Sequence, residues 1–239
     1  MIPMASTKFM TENQYAMVRA FRQASENSEV VTILDYAGSG FKYALNYFID
    51  RDQDQYDKAK ISLANIQYNG AKNISIEVMK DPRHIRFSDL NHTKTDLVDW
   101  LYKLNERSKE ILTSKRILIA LDNFERLNTT VRLSRTISIL KNIKFKCGIV
   151  LRINRDGLDK LFGLDADLSE EMSALISKRI VLARNKPEDI VKLCQSYGVR
   201  DQSIIEEVSE KVLSFSLAMR KIENHMKVNP PGQLEINFK

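Results

Sequence analysis

A chain of 239 residues with 43% hydrophobic and 28% charged side chains can bury a full α/β core, which excludes a disulfide-stapled miniature fold and a disordered or fibrous chain. The 8 glycines and 5 prolines leave most of the chain free for regular elements. Lys and Arg exceed Asp and Glu by 37 to 31, a net charge of +6 that favours a polyanionic partner as readily as it keeps a protein soluble.

In chain order, Thr11 and Gln14 have capping-box spacing, and Met17, Val18 and Phe21 follow on one face, predicting a helix over 12–26. The β-branched run EVVTILDY (29–36) reads as a strand, AGSG (37–40) as a glycine loop, and FKYALNYFID (41–50) as a helix. QDQYDKAK (53–60) is polar and reads as a solvated helix end or loop, and NISIEVMK (73–80) as a second strand. After a loop at Pro82, Leu97, Leu101 and Leu104 share a helix face. RILIALD (116–122) has the continuous apolar run of a strand buried on both faces. Leu133, Ile137 and Leu140 predict a helix over 130–141, and CGIVLRIN (147–154) another buried strand.

This alternation implies right-handed crossovers and a parallel sheet with helices on both faces. Beyond residue 155 the signals are helical: Leu168, Met172, Leu175 and Ile176; Pro187 in a first turn with Ile190 and Cys194; Ile204, Ile205, Val208 and Val212; and Phe215, Met219, Ile222 and Met226. The expected layout is an α/β domain over 1–160, a small helical subdomain over 161–228, and a tail over 229–239 carrying Pro230 and Pro231. Cys147 and Cys194 have no partner at metal-ligand spacing and read as buried reduced thiols. His84, His92 and His225 likewise show no ligand spacing. No apolar stretch has membrane-spanning length and the N-terminus lacks a secretory layout, so the expectation is a cytoplasmic protein with no membrane partner.

Strand, glycine loop and helix in succession are the parts of a phosphate-binding loop, in which small residues turn backbone N–H groups toward phosphate, a lysine neutralises it and a hydroxyl meets Mg²⁺. With Gly40 as the last glycine of G-x-x-x-x-G-K-[ST], Asp35 takes the first glycine's place, Phe41 the lysine's and Lys42 the hydroxyl's. Gly38, Ser39 and Gly40 remain candidate phosphate contacts, and Lys42 becomes one if the loop slips by a residue. An ordinary βα turn built with glycines is the competing reading. Asp122 ends the apolar strand where P-loop enzymes hold their Mg²⁺ shell. The next residue, Asn123, cannot accept a proton, and Glu125 lies two positions on, in reach only if the strand end bulges.

The segments ASENSEVVTILDYAGSGFKYAL, RILIALDNFERL, CGIVLRIN and MRKIENHM together resemble the Mu B-type transposition ATPases, AAA+ proteins that coat target DNA for phages and transposons; the resemblance covers roughly residues 10–227. It implies a three-layer AAA+ P-loop fold with a helical lid, ATP and Mg²⁺ as cofactors, a homo-oligomer on double-stranded DNA, and a transposase or other recombinase as partner. It further implies a polar sensor at Asn154 and a nucleotide-facing arginine at Arg220, where a capped strand end and a solvated helix face are the competing readings. The basic clusters KNIKFK (141–146) and SKRIVLARNK (177–186) make Lys141, Lys144, Lys146, Lys178 and Arg179 candidate DNA contacts, or a solvated face. Replacement of the loop lysine and the strand-end glutamate predicts negligible ATPase activity. Two other readings stay open, a slow ATPase using Lys42 and Glu125 and a scaffold of the same fold without DNA.

Overall fold

The computed structural model describes residues 10–51, 56–62, 75–78, 116–127, 130–142, 147–163, 166–211 and 214–228. They group into two compact units, one spanning Val18–Asp35 and Tyr47–Leu182, the other Met1–Met17, Tyr36–Asn46 and Ala183–Lys239.

Helix α1 (Glu12–Asn27) opens with the expected capping box: the Thr11 N–H donates to Gln14 Oε1 at 2.9 Å, and the Gln14 N–H to Thr11 Oγ1 at 3.4 Å. It closes with Ser28 in the left-handed region (φ 53°) and the Glu29 N–H reaching back to the Ala24 carbonyl at 3.2 Å.

The first unit is built on β1 (Val30–Asp35), β2 (Tyr56–Ser62), β3 (Ser75–Val78), β4 (Arg116–Asp122), β5 (Cys147–Asn154) and β6 (Arg179–Val181), in the order β3-β2-β4-β5-β1-β6. Parallel pairing links β2, β4, β5, β1 and β6, as the alternation of elements requires. Three features depart from the sequence reading. The polar stretch expected as a loop is β2, whose backbone pairs with β4 from Tyr56 opposite Arg116 to Ser62 opposite Asp122; a ladder of main-chain bonds needs no apolar run. β3 is antiparallel to β2, so the sheet is mixed at that end. Within the basic cluster 177–186, Arg179–Val181 pair with Thr32–Leu34 of β1 as a sixth strand, too short to register as a period.

Strand alternation assigns the faces. Ile119 and Leu121 of β4, Ile149, Leu151 and Ile153 of β5, and Leu34 of β1 join one core with α3 (Thr130–Lys141), α4 (Leu158–Phe162) and α5 (Ala166–Leu175). On the opposite face, Gly148 lies under α1 so closely that a Cβ there would be 2.4 Å from the backbone of Ala24, which is why α1 can rest on the sheet at all. Residues 35, 122 and 152 fall on this second face by the same parity. Phe21 of α1 stacks obliquely on Phe48 of α2 (Phe41–Arg51), with ring centres 5.7 Å apart.

In the other unit α6 (Pro187–Ser196), α7 (Gln202–Lys211) and α8 (Phe215–Val228) surround Ile190, Leu193, Val208, Phe215 and Ile222, with Pro187 in the first turn of α6 as expected. The expected helix around Leu97–Leu104, the Pro82 loop, Val212, His84 and His92, Lys144 and Lys146, and the tail lie outside the described residues. Among the described residues no helix is long and apolar enough to cross a membrane.

Candidate functional site

The glycine loop is a real strand-to-helix turn. Gly38 (φ 79°) and Gly40 (φ 92°) adopt backbone angles that only glycine holds without strain, and the Ser39 N–H closes the turn on the Tyr36 carbonyl at 3.2 Å. The chain's own side chains crowd it. A Cβ on Gly38 would stand 1.9 Å from Ser214 Oγ, and one on Gly40 would stand 2.4 Å from Gln14 Nε2 and 2.8 Å from the Phe215 ring. The Gly38 carbonyl accepts from the Ser216 N–H at 3.1 Å and from Ser214 Oγ at 3.4 Å, so the loop caps the first turn of α8. Packing and capping thus account for both glycines. Phe41, which the motif alignment sets against the lysine, is 4% exposed, and Lys42 beside it is exposed on the first turn of α2. Arg220 is exposed on α8. Arg184 lies over the Tyr36 ring at 5.0 Å.

At the carboxyl ends of the strands the decisive residue is one that sequence reading passed over. β5 lies between β4 and β1, so a long side chain near its end reaches both neighbours. Arg152 does so: its Nε donates to Asp35 Oδ1 at 2.8 Å, and its Nη1 to Asp122 Oδ1 at 3.0 Å and Asn123 Oδ1 at 2.8 Å. Asp35 is fully buried, and the side chains of Arg152 and Asp122 are 9% and 16% exposed. Burial works against the arginine's charge as the largest single influence, but the joint attraction of Asp35 and Asp122 outweighs it and holds the guanidinium above its ordinary pKa. Asn123 turns through the left-handed region (φ 56°) to present its oxygen. The signal available in the sequence was one arginine inside an otherwise apolar strand, at a parity shared with two aspartates.

Glu125, in a 3-10 turn after β4, accepts the Asn154 N–H at 3.0 Å, and its Cγ would stand 2.5 Å from a Cβ on Gly157. Asn154 Oδ1 in turn accepts the Asp156 N–H at 3.1 Å, capping the next turn. The two residues are joined to each other, each in a local structural role. Asp122 does not fit a divalent metal as it stands, because one of its oxygens already meets a guanidinium and the neighbouring Asn123 oxygen meets the same nitrogen. No group of three or more metal-ligating side chains occurs among the described residues.

Of the basic candidates, Lys141 is ion-paired with Glu171 at 3.5 Å, Lys178 pairs with Glu29, and Arg179 is exposed on β6. Cys147 and Cys194 are buried free thiols, both held above the usual thiol range by burial, Cys147 pushed up to about 12.

No protein-family model and no curated protein matches this chain. Solved structures do. The ORC1 protein of Aeropyrum pernix in complex with DNA aligns at TM-score 0.63 and 10% identity, covering 95% of this chain and 63% of that one. The ORC2 protein of the same organism with ADPNP and ADP aligns at 0.59 and 11%, over 95% and 65%, and AMPPCP-bound DnaA of Aquifex aeolicus at 0.56 and 14%, over 92% and 62%. The fold is that of an AAA+ P-loop domain. This chain spans less than two thirds of each of those three proteins, and at such identities the likeness establishes the AAA+ fold alone.

Proposed function

We propose that this chain is a DNA-associated protein of AAA+ fold that acts by binding and self-association, and that it does not hydrolyse ATP. The observation that carries this reading is Phe41: the position from which an AAA+ lysine reaches the outer phosphates holds a ring buried to 4% exposure. Without an ammonium there, charge on a transferring phosphoryl group goes unneutralised. Asn123 in the place of the water-activating glutamate adds to it, since an amide accepts no proton, and Glu125 is occupied by the Asn154 N–H.

DNA association is supported by the +6 charge and by the fold shared with an ORC1 protein solved on DNA. Among the described residues Arg179 is the contact we propose first, with Lys141 and Lys178 having to leave acidic partners, and Lys144 and Lys146 are proposed from the sequence alone. The finer reading, assistance to a transposase or other recombinase of a phage or mobile element, rests on the resemblance of the strand motifs to Mu B-type proteins. Anisotropy of labelled duplex DNA over a salt series tests the DNA reading. Contact with Z phosphates gives a log–log slope of about −0.9Z. A flat response with no binding at low salt removes DNA and leaves the scaffold reading.

One observation favours a second reading, nucleotide held without turnover. Gln14 Nε2, fully buried beside Gly40, has no hydrogen-bond partner among the described residues. A buried donor of this kind suits a ligand oxygen. ATP titration without Mg²⁺, comparing wild type with Gln14→Leu, separates the two readings.

A further inference from the structure

The sheet's second face brings two carboxylates and one guanidinium to adjacent strand ends, and Arg152 pairs with both, at 2.8 Å to Asp35 and 3.0 Å to Asp122. Asp122 sits where an AAA+ domain would hold its divalent ion. Its Oδ1 is 3.0 Å from Arg152 Nη1, and that nitrogen also takes the Asn123 oxygen, the other ligand a metal would use there. A divalent ion bonded to Asp122 at about 2.0–2.1 Å, the Mg²⁺ distance, would lie against a guanidinium that cannot lose its proton. The other end of that guanidinium is held by fully buried Asp35 at 2.8 Å, so swinging aside would break a buried ion pair.

We propose that Arg152 is a built-in cation standing in for the divalent metal, so that this chain's strand-end aspartate binds no Mg²⁺ and any ligand at these strand ends is held without one. The proposal deepens the non-hydrolysing reading and rests on its placement of Asp122. It also gives Asp122 a role other than metal ligand, as one of the groups that hold the arginine. Arg152→Met, which keeps length and removes charge, then releases the Asp122 carboxylate and the Asn123 amide oxygen that share one guanidinium nitrogen, oxygen donors suited to Mn²⁺ or Mg²⁺.

The probe is Mn²⁺ alone, its free concentration read by electron paramagnetic resonance during titration of the whole chain, with folding checked by circular dichroism. Wild type and Arg152→Lys are expected to leave the free Mn²⁺ signal undiminished, whereas folded Arg152→Met gains one site per chain that Asp122→Asn removes. Mn²⁺ uptake by wild type, lost in Asp122→Asn, overturns the proposal. So does a folded Arg152→Met that takes up no Mn²⁺, because the guanidinium is then not what excludes the ion. Should Arg152→Met fail to fold, the same titration is read on Arg152→Gln, which also removes the charge and keeps a polar group for Asp35, with the same two outcomes. Neither nucleotide nor DNA enters the assay, so ATP turnover or a failure to bind DNA would sink the function proposed above without touching this result.

Discussion

Introducing a phosphate-loop lysine by Phe41→Lys should damage the protein without giving it ATP. The Phe41 side chain is 4% exposed, so folding removes nearly the whole of a ring of roughly 150–250 Å² from water. At about 25 cal/mol per Å² that burial contributes on the order of 4–6 kcal/mol, an upper figure because unfolded chains already bury some surface. The lysine stem recovers part of the contact by snorkelling, while its ammonium lies near the positive end of α2 and must find water or disturb its neighbours. The expected net loss is about 3–5 kcal/mol, as for other buried Phe truncations, and the melting temperature should fall by on the order of 10 °C at this chain length. Urea unfolding gives the stability difference, and isothermal titration with ATP the ligand arm. A Phe41→Lys protein as stable as wild type that binds ATP would show that the side chain at 41 faces phosphate, and the reasoning from burial would fail.

Gly40→Ala should cost about 1–3 kcal/mol, since its φ of 92° is strained for alanine and its Cβ would press on Gln14 and Phe215; equal stability by urea unfolding would mean the turn relaxes. Arg152→Met, breaking a buried pair from one side, should cost about 3–5 kcal/mol with Arg152→Lys between it and wild type, and a loss below about 1 kcal/mol would show the network to be solvated. Glu29 is held below its ordinary pKa by the Lys178 hydrogen bond first, against a burial effect, and then by Gln23 and Asn27. A depressed carboxylate contributes stability that is full above its unfolded pKa and vanishes as pH falls through the folded one, so Lys178→Ala and wild type should converge in stability in acid; divergence there would refute the pairing. Both cysteines are buried, so Ellman's reagent at neutral pH should modify neither thiol until the chain is denatured, when both react.

What could be read from sequence tracks where the physics is local. The Thr11–Gln14 cap, the apolar runs of β1, β4 and β5, and the 3.6-residue spacing of α3 and α6 to α8 each depend on neighbours in the chain, and all form as read. β2 and β6 were missed because their backbones are satisfied by strands distant in sequence, β4 and β1, whatever their own polarity. The site divides the same way. Phe41 and Asn123, set by the motif alignment at the lysine and glutamate positions, were visible at once, yet what occupies the surroundings was not: Ser214, Gln14 and Phe215 crowd the loop from segments up to 176 residues away, and Arg152 meets Asp35 across a separation of 117. Asn154 and Glu125, matched to roles by position, are joined by a hydrogen bond from the Asn154 backbone N–H that no sequence spacing announces.

The central claim, an AAA+ fold without ATP turnover, is tested most directly by phosphate release from ATP with Mg²⁺, measured with and without duplex DNA and with Lys42→Ala and Glu125→Gln alongside. No release above the protein-free background in any sample is the expected result. Turnover by wild type that either substitution abolishes would contradict it and establish a slow ATPase working through Lys42 and Glu125.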